Sequence, residues 1–268
     1  MWCQGFSEPE AGSDLASLRT RAVVDGDQLV VTGQKIWTSF APVADWQELL
    51  VRTDPDVPKH KGLTWVICDM HSPGIDVRPI HTIDGGRDFA EVFYDEVRIP
   101  IANVVGGIDN GWSVAMSTLS FERGTAFTIS QVQLSSNVER LIEVARSRTS
   151  VNGRPVIADD SIAHRLARAR ADVAALRALT YLNISRNARS SQPGPEGSML
   201  KVEDARLSQE VYRLAMDILG PRSLELVEGE DETYWVNRHL LSYASSIGGG
   251  TSEIQKNIIA ERVLGLPR

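Results

Sequence analysis

The residue type best suited to acid–base chemistry is Glu122, in the run Ser120-Phe121-Glu122-Arg123-Gly124-Thr125. Read as a helix, its face-sharing neighbours are Thr118, Leu119, Thr125 and Ala126, with Ala115 and Ile129 further along. None of these can pair with a carboxylate. Such a Glu is either a solvated surface residue backed by Arg123, or a carboxylate held in a site that raises its pKa toward neutrality. Three further segments combine glycines with hydroxyls or an aromatic ring. Gln4 to Asp14 is a polar loop whose backbone N–H and hydroxyl groups can cradle a ligand rich in acceptors, or simply face water. Gly33-Gln34-Lys35-Ile36-Trp37-Thr38-Ser39 sets a Trp among hydroxyls, as core or as a stacking platform for a planar ligand. Gly248-Gly249-Gly250-Thr251-Ser252-Glu253 puts glycines at a helix start, as a linker with an N-cap or as the close passage of a ligand.

Other chemistries find no support. No Lys follows the glycines at 248–250, so they do not form a P-loop. The five histidines, at 60, 71, 81, 164 and 239, show no metal-ligand spacing. Cys3 and Cys68 lie in no CxxC motif, and two cysteines make no disulfide framework, so the expected compartment is reducing and cytoplasmic. No nucleophile elbow or triad signature is present. A net charge of -7 argues against nucleic acid or an anionic membrane as partner. Residues 1–5 carry neither a basic nor an apolar leader region, and no uncharged apolar run reaches transmembrane length, so neither a signal peptide nor membrane insertion is expected.

The elements that must position these residues change character near Pro100. Before it, Arg21 to Val24 and Gln28 to Thr32 flank Asp25-Gly26-Asp27 as a hairpin, and strand-like runs follow at Trp46 to Thr53, Leu63 to Asp69, Ile75 to Ile80 and Ala90 to Ile99. Turn clusters separate them, which predicts an antiparallel β domain over 1–104. After it, a helix is expected from Gly111 to about Arg148, capped by Asn110, with Gly124 inside it at a cost of about 1 kcal/mol against Ala. A second helix runs from near Asp160 to about Arg189, with a seam of Ile162, Leu166, Ala169, Val173, Leu176 and Thr180. Past a loop at Ser190 to Gly197, helices follow at Met199 to Leu219, Tyr234 to Tyr243 and Thr251 to about Leu264. The expected fold class is α+β: an antiparallel β domain, then an all-α up-and-down helical bundle over 105–268.

Taken in order, these segments resemble the acyl-CoA dehydrogenase family of flavoproteins, across essentially the whole chain. The strongest parts are Ser7 to Asp14, Gly33 to Trp37, and the ending Gly250-Thr251-Ser252-Glu253-Ile254-Gln255 through Ile259 to Gly265. The resemblance implies an FAD-dependent oxidoreductase of lipid β-oxidation, acting on an acyl-CoA and passing electrons to an electron-transfer flavoprotein. It implies a homotetramer or heterotetramer. It further implies that Phe6, Ser7, Gly12 and Ser13 line the flavin and thioester side, that Trp37 and Ser39 lie against the isoalloxazine, and that Thr251 and Glu253 lie near the cofactor. Ser13 and Arg123 are the implied substrate contacts.

The family's base is a Glu in one of two places. The commoner one, directly before the Gly-Thr of the last motif, is Gly249 here. The other precedes an Arg on the first long helix, and that position is Glu122, followed by Arg123. Three departures stand beside this match. Family members carry a helical domain ahead of the Gln4 segment, so a fragment, or a partner that supplies that wall, is expected. The Arg that would meet the neighbouring subunit's FAD falls near Arg148, without its usual aromatic-Gly pair, and a Gln-x-x-Gly-Gly turn is replaced by Asp217-Ile218-Leu219-Gly220-Pro221. The alternative expectation is a non-catalytic subunit of a related complex. A flavin oxidase or monooxygenase of the same fold is the third, and the presence of Glu122 counts against it.

Overall fold

The computed structural model describes residues 1–190, 193–225 and 231–267; within helices, the side chains of 123–127, 231 and 232 are outside that description. The chain divides into two compact units, Met1–Thr118 and Leu119–Arg268.

The first unit is one mixed, mainly antiparallel sheet. Its strands are β1 (Trp2–Gly5), β2 (Arg21–Asp25), β3 (Gln28–Ser39), β4 (Trp46–Arg52), β5 (Leu63–Asp69), β6 (Ile75–Ile80), β7 (Phe89–Pro100) and β8 (Val104–Val105), in the order β6-β7-β3-β2-β4-β5-β8. The expected hairpin forms between β2 and β3, with Asp25 opposite Gln28 and Gly26 at φ 63°. Three features go beyond the expectation. β1 runs parallel to β4, Trp2 opposite Trp46, and β2 meets β4 in parallel at Arg21 and Arg52. β8 closes the far edge on β5. The strand expected at Gln28 to Thr32 continues to Ser39, so the Trp-bearing motif is itself sheet.

Inward side chains follow the two-residue period of a strand, and two β-bulges interrupt it. Between Val31/Val97 and Gly33/Tyr94, β7 carries two residues, Asp95 and Glu96, against one of β3. Between Lys35/Val92 and Thr38/Ala90, β3 carries two, Ile36 and Trp37, against one of β7. The buried row on β7 therefore runs Ala90, Val92, Tyr94 and then Val97, Ile99, while on β3 it runs Leu29, Val31, Lys35 and then Thr38. Each bulge holds a non-glycine residue at positive φ, Glu96 at 50° and Trp37 at 60°. Gly33 is required by close approach, since a Cβ there would lie 2.7 Å from the Cα of Thr20.

The second unit is helical. Helix α1 (Gly111–Ser147) begins in the first unit and continues here, followed by α2 (Asp160–Asn187), α3 (Gly197–Leu219), α4 (Asp231–Ser242) and α5 (Ser252–Ile258). Asn110 precedes α1, accepting the Ser113 hydroxyl at 3.0 Å and donating to the Gly106 carbonyl at 2.9 Å. Asp159 caps α2, taking the N–H groups of Ser161 and Ile162. The expected seam of α2 is buried from Leu166 through Thr180, with Ile162 packed at its edge. It meets Leu134, Val138, Leu141 and Ala145 of α1 and the apolar row of α3, while Trp235 brings in α4. α3 starts two residues before the expected Met199, and Ser191 and Gln192 of the expected loop lie outside the described residues. α4 stops at Ser242, so Tyr243 falls in a short 3-10 turn. α5 ends in a π-turn, Ile259–Val263. Among the described residues, no helix is long and apolar enough to cross a membrane.

Candidate functional site

In the first unit, the Gln4 to Asp14 loop and the end of β3 are fastened together from inside the protein. Lys35, in the inward row of β3, is fully buried, so its ammonium must find acceptors there. It donates to the Phe6 carbonyl at 3.0 Å and to Glu8 Oε1 at 2.8 Å. Glu8, 8% exposed, also receives the Thr20 N–H at 2.8 Å and the Arg19 N–H at 2.6 Å. The Ile36 N–H reaches the Ser7 carbonyl at 2.9 Å, adding a backbone tie one residue along. Burial raises the Glu8 pKa, but the Lys35 charge and the hydrogen bonds from Lys35, Thr20 and Arg19 outweigh it and leave the carboxyl below its ordinary value. Burial, with a smaller contribution from Arg52, pulls Lys35 down to about 8 against the opposing pull of Glu8.

Beyond this tie the loop turns outward. Glu8 and Ala11 exchange both backbone hydrogen bonds, at 3.1 and 3.0 Å, closing a tight turn. Gly12 and Ser13 are exposed, and a Cβ at Gly12 would meet nothing within 4 Å. Asp14 is held by Lys59 at 2.7 Å and Ser17 at 2.6 Å. Phe6 is buried and Ser7 half-buried. On β3, the bulge turns Trp37 out to 56% exposure, edge-on to Phe89, while Thr38 is buried with Oγ1 unpartnered. Ser39 is half-buried, two positions from Trp37 and so on the same side of the strand. An open indole face with a hydroxyl beside it suits a planar heterocycle with a polar edge.

In the second unit, Glu122 lies on α1 with its side chain exposed, and the side chain of Arg123 is outside the described residues. Thr251 caps α5 through its hydroxyl, which accepts the Ile254 N–H at 3.3 Å; Glu253, in the first turn, is exposed. Gly249 and Gly250 precede the cap at φ 66° and 88°. Gln255 is buried and fixes this turn by donating to the Gly249 carbonyl at 2.9 Å. The bundle also buries Asp204, which accepts the Ser130 hydroxyl at 2.7 Å and is raised by desolvation, and Lys201, which donates to the Ser245 carbonyl and is lowered by desolvation.

The two sequence departures in the bundle come together. A cavity of about 570 Å³ is walled by Arg148, Ser150 and Asn152 on one side and by Asp217, Gly220 and Arg222 on the other. Arg148 donates to the Leu219 carbonyl across it at 3.4 Å.

Sequence reasoning missed Glu8 and Lys35 as a pair, and Gln255 as the residue beneath the glycine turn. Lys35 had a readable signal: a cation in phase with Leu29 and Val31 must have a buried partner. Gln255 had none, since a Gln four residues past an N-cap is ordinary.

Comparison with known proteins gives a consistent result. The acyl-CoA dehydrogenase middle domain matches residues 3–97, and the acyl-CoA dehydrogenase C-terminal domain matches residues 109–264. The chain is 41% identical to acyl-CoA dehydrogenase IpdE1 of Mycobacterium tuberculosis over 268 residues, covering 100% of this chain and 67% of that protein. The crystal structure of the ChsE4-ChsE5 complex from the same organism superimposes with a TM-score of 0.88 at 34% identity, covering 100% of this chain and 69% of the other. A steroid ACAD, Tcur3481-Tcur3483, superimposes with a TM-score of 0.87 at 30% identity, covering 100% and 68%. The chain thus spans about two thirds of the length of each relative.

Proposed function

Since the chain belongs to the acyl-CoA dehydrogenase family of FAD-dependent oxidoreductases, we propose that it serves the α,β-dehydrogenation of an acyl-CoA thioester, with Glu122 as the base. FAD, when bound, supplies the acceptor for the β-hydrogen and its electron pair. Glu122, exposed in the chain by itself, takes the proton α to the thioester carbonyl, a role for which bound flavin and acyl chain would shield it from water and raise it toward neutrality. Trp37 and Ser39 hold the flavin ring and its polar edge. Phe6, Ser7, Gly12 and Ser13 line the flavin and thioester side. Thr251 and Glu253 contribute from the start of α5, and Arg123 joins Ser13 in holding substrate.

The observation that carries this reading is Gly249. It occupies the position of the family's commoner base, and at φ 66° its backbone disfavours any side chain. Glu122 is then the one acid matched to the family's alternative position. The likeness to a steroid ACAD supports a bulky, ring-bearing acyl group, and the likeness to two-protein complexes supports a hetero-oligomer. The departures at Arg148 and at Asp217 to Pro221 fit a mixed oligomer whose partner completes the flavin site. Electrons leave to an electron-transfer flavoprotein.

The test is Glu122→Gln in FAD-loaded protein mixed with a panel of straight-chain and steroid acyl-CoAs. Flavin bleaching should slow by roughly a hundredfold or more with FAD still bound; unchanged bleaching removes Glu122 from the mechanism. Those same two-protein neighbours favour a second reading, a subunit that completes a partner's site without turning over itself. Bleaching of the chain's own flavin without any partner would dismiss it.

A further inference from the structure

The inward row of β3 is apolar at Leu29 and Val31 and then, two steps on, holds the Lys35 ammonium with no exposure at all. A well-packed Met would fill such a position without the cost of stripping water from a charge, and buried ion pairs are often no more stabilising than the apolar groups that replace them. What the charge adds is direction. Lys35 Nζ fixes one backbone atom, the Phe6 carbonyl, and one carboxylate, Glu8, which in turn fixes the N–H groups of Arg19 and Thr20. The circuit therefore spans both ends of the Phe6 to Thr20 segment and anchors it to the strand two residues before Trp37.

We propose that Lys35 and Glu8 are positioning residues: their buried pair sets the Phe6 to Asp14 loop in register with the bulged end of β3, so that Ser7, Ser13, Trp37 and Ser39 present one surface to the flavin. This rests on the reading of those four residues given above. Lys35 touches neither cofactor nor substrate in this scheme and acts through the backbone at Phe6. The charged groups facing it are Glu8 from the loop and Arg52 from β4; Tyr94 from β7 acts on Glu8, and burial keeps its hydroxyl neutral well past pH 10.

The discriminating variant removes both charges together, Glu8→Leu with Lys35→Met, so that no lone charge is left buried. Three quantities are measured on the full chain: Tm, FAD affinity by fluorescence titration, and amide hydrogen exchange across residues 6–20. A fall in Tm of several degrees is expected, because the variant also strips the Arg19 and Thr20 N–H groups and the Phe6 carbonyl of their partners, with FAD affinity reduced on the order of tenfold and faster exchange at Ala11, whose N–H closes the loop turn on the Glu8 carbonyl. Wild-type FAD affinity should also weaken as pH rises through about 8, where Lys35 gives up its proton, while the double variant stays flat. Unchanged FAD affinity in the variant overturns the proposal, as does a fall in Tm alone. A wild-type chain that takes up no FAD refutes the functional reading instead. The pair is then judged by exchange, and unaltered protection at Ala11, whose backbone bond the substitutions leave in place, overturns it.

Discussion

Trp37 stands edge-on to Phe89, ring centroids 6.1 Å apart and planes at 79°, at the point where β3 carries two residues against one of β7. The ring is more than half exposed and its backbone sits at φ 60°. A bulky side chain in the left-handed region costs on the order of 1–2 kcal/mol, and such strain collects at functional positions. The indole is thus held outward at some expense to the sheet.

Trp37→Gly separates that expense from its use. Glycine relieves roughly 1 kcal/mol of left-handed strain and returns about 0.5–1 kcal/mol as added freedom of the unfolded chain. Stability by urea titration should therefore stay within about 1 kcal/mol of wild type, while loss of the ring contact lowers FAD affinity by roughly tenfold. A large loss of stability with FAD binding intact would mean that the ring serves the sheet.

Glu8 gives the protein a specific acid limb. Its folded pKa lies below its ordinary value of 4.5, so the unfolded chain takes up the proton first as pH falls. The pair's contribution is fully present above the unfolded value and is lost as pH drops through the folded one. Urea midpoints measured from pH 6 to pH 3 should fall more steeply for wild type than for Glu8→Gln. Parallel slopes would show that Glu8 is not the group titrating.

Gly249→Glu restores an acid to the commoner family position and tests whether that position is usable. A Cβ there would meet nothing within 4 Å, so backbone conformation alone sets the cost, about 1–2 kcal/mol. Gly249→Asn should cost clearly less, because Asn tolerates left-handed geometry. Combined with Glu122→Gln, the new acid should fail to restore flavin bleaching; recovery would show that the turn can present a base.

Thr251→Ala removes the side-chain acceptor for the Ile254 N–H at the start of α5. A loss of about 1 kcal/mol is expected from a cap of this kind, read as a lower urea midpoint. Thr251→Ser keeps the hydroxyl and should recover most of it.

Much of this architecture was legible because it is local. The Asp25-Gly26-Asp27 hairpin, the seam of α2 and the limits of α1 follow from turn chemistry and periodicity within a few residues. β1 was not legible: four residues, Trp2–Gly5, become strand only by pairing with Trp46 to Leu49, some forty positions on. The site was readable as a set of segments, through the order of its motifs. Its fastening was not, because Lys35 and Glu8 are joined by a fold that neither segment encodes alone. The orientation of Trp37 depended on a bulge, which has no composition signal when the residue at positive φ is a Trp rather than a Gly.

That bulge bears on how the strand tolerates changes of length. Lys35 pairs with Val92 and Thr38 with Ala90, so removing one residue between them would leave every other pairing of β3 in place and the inward row unbroken. In the grammar of insertions and deletions, one residue of the Ile36-Trp37 pair is surplus to the sheet. A deletion there would give a more regular strand and a shorter gene at once, and would cost only what the outward-facing ring is for.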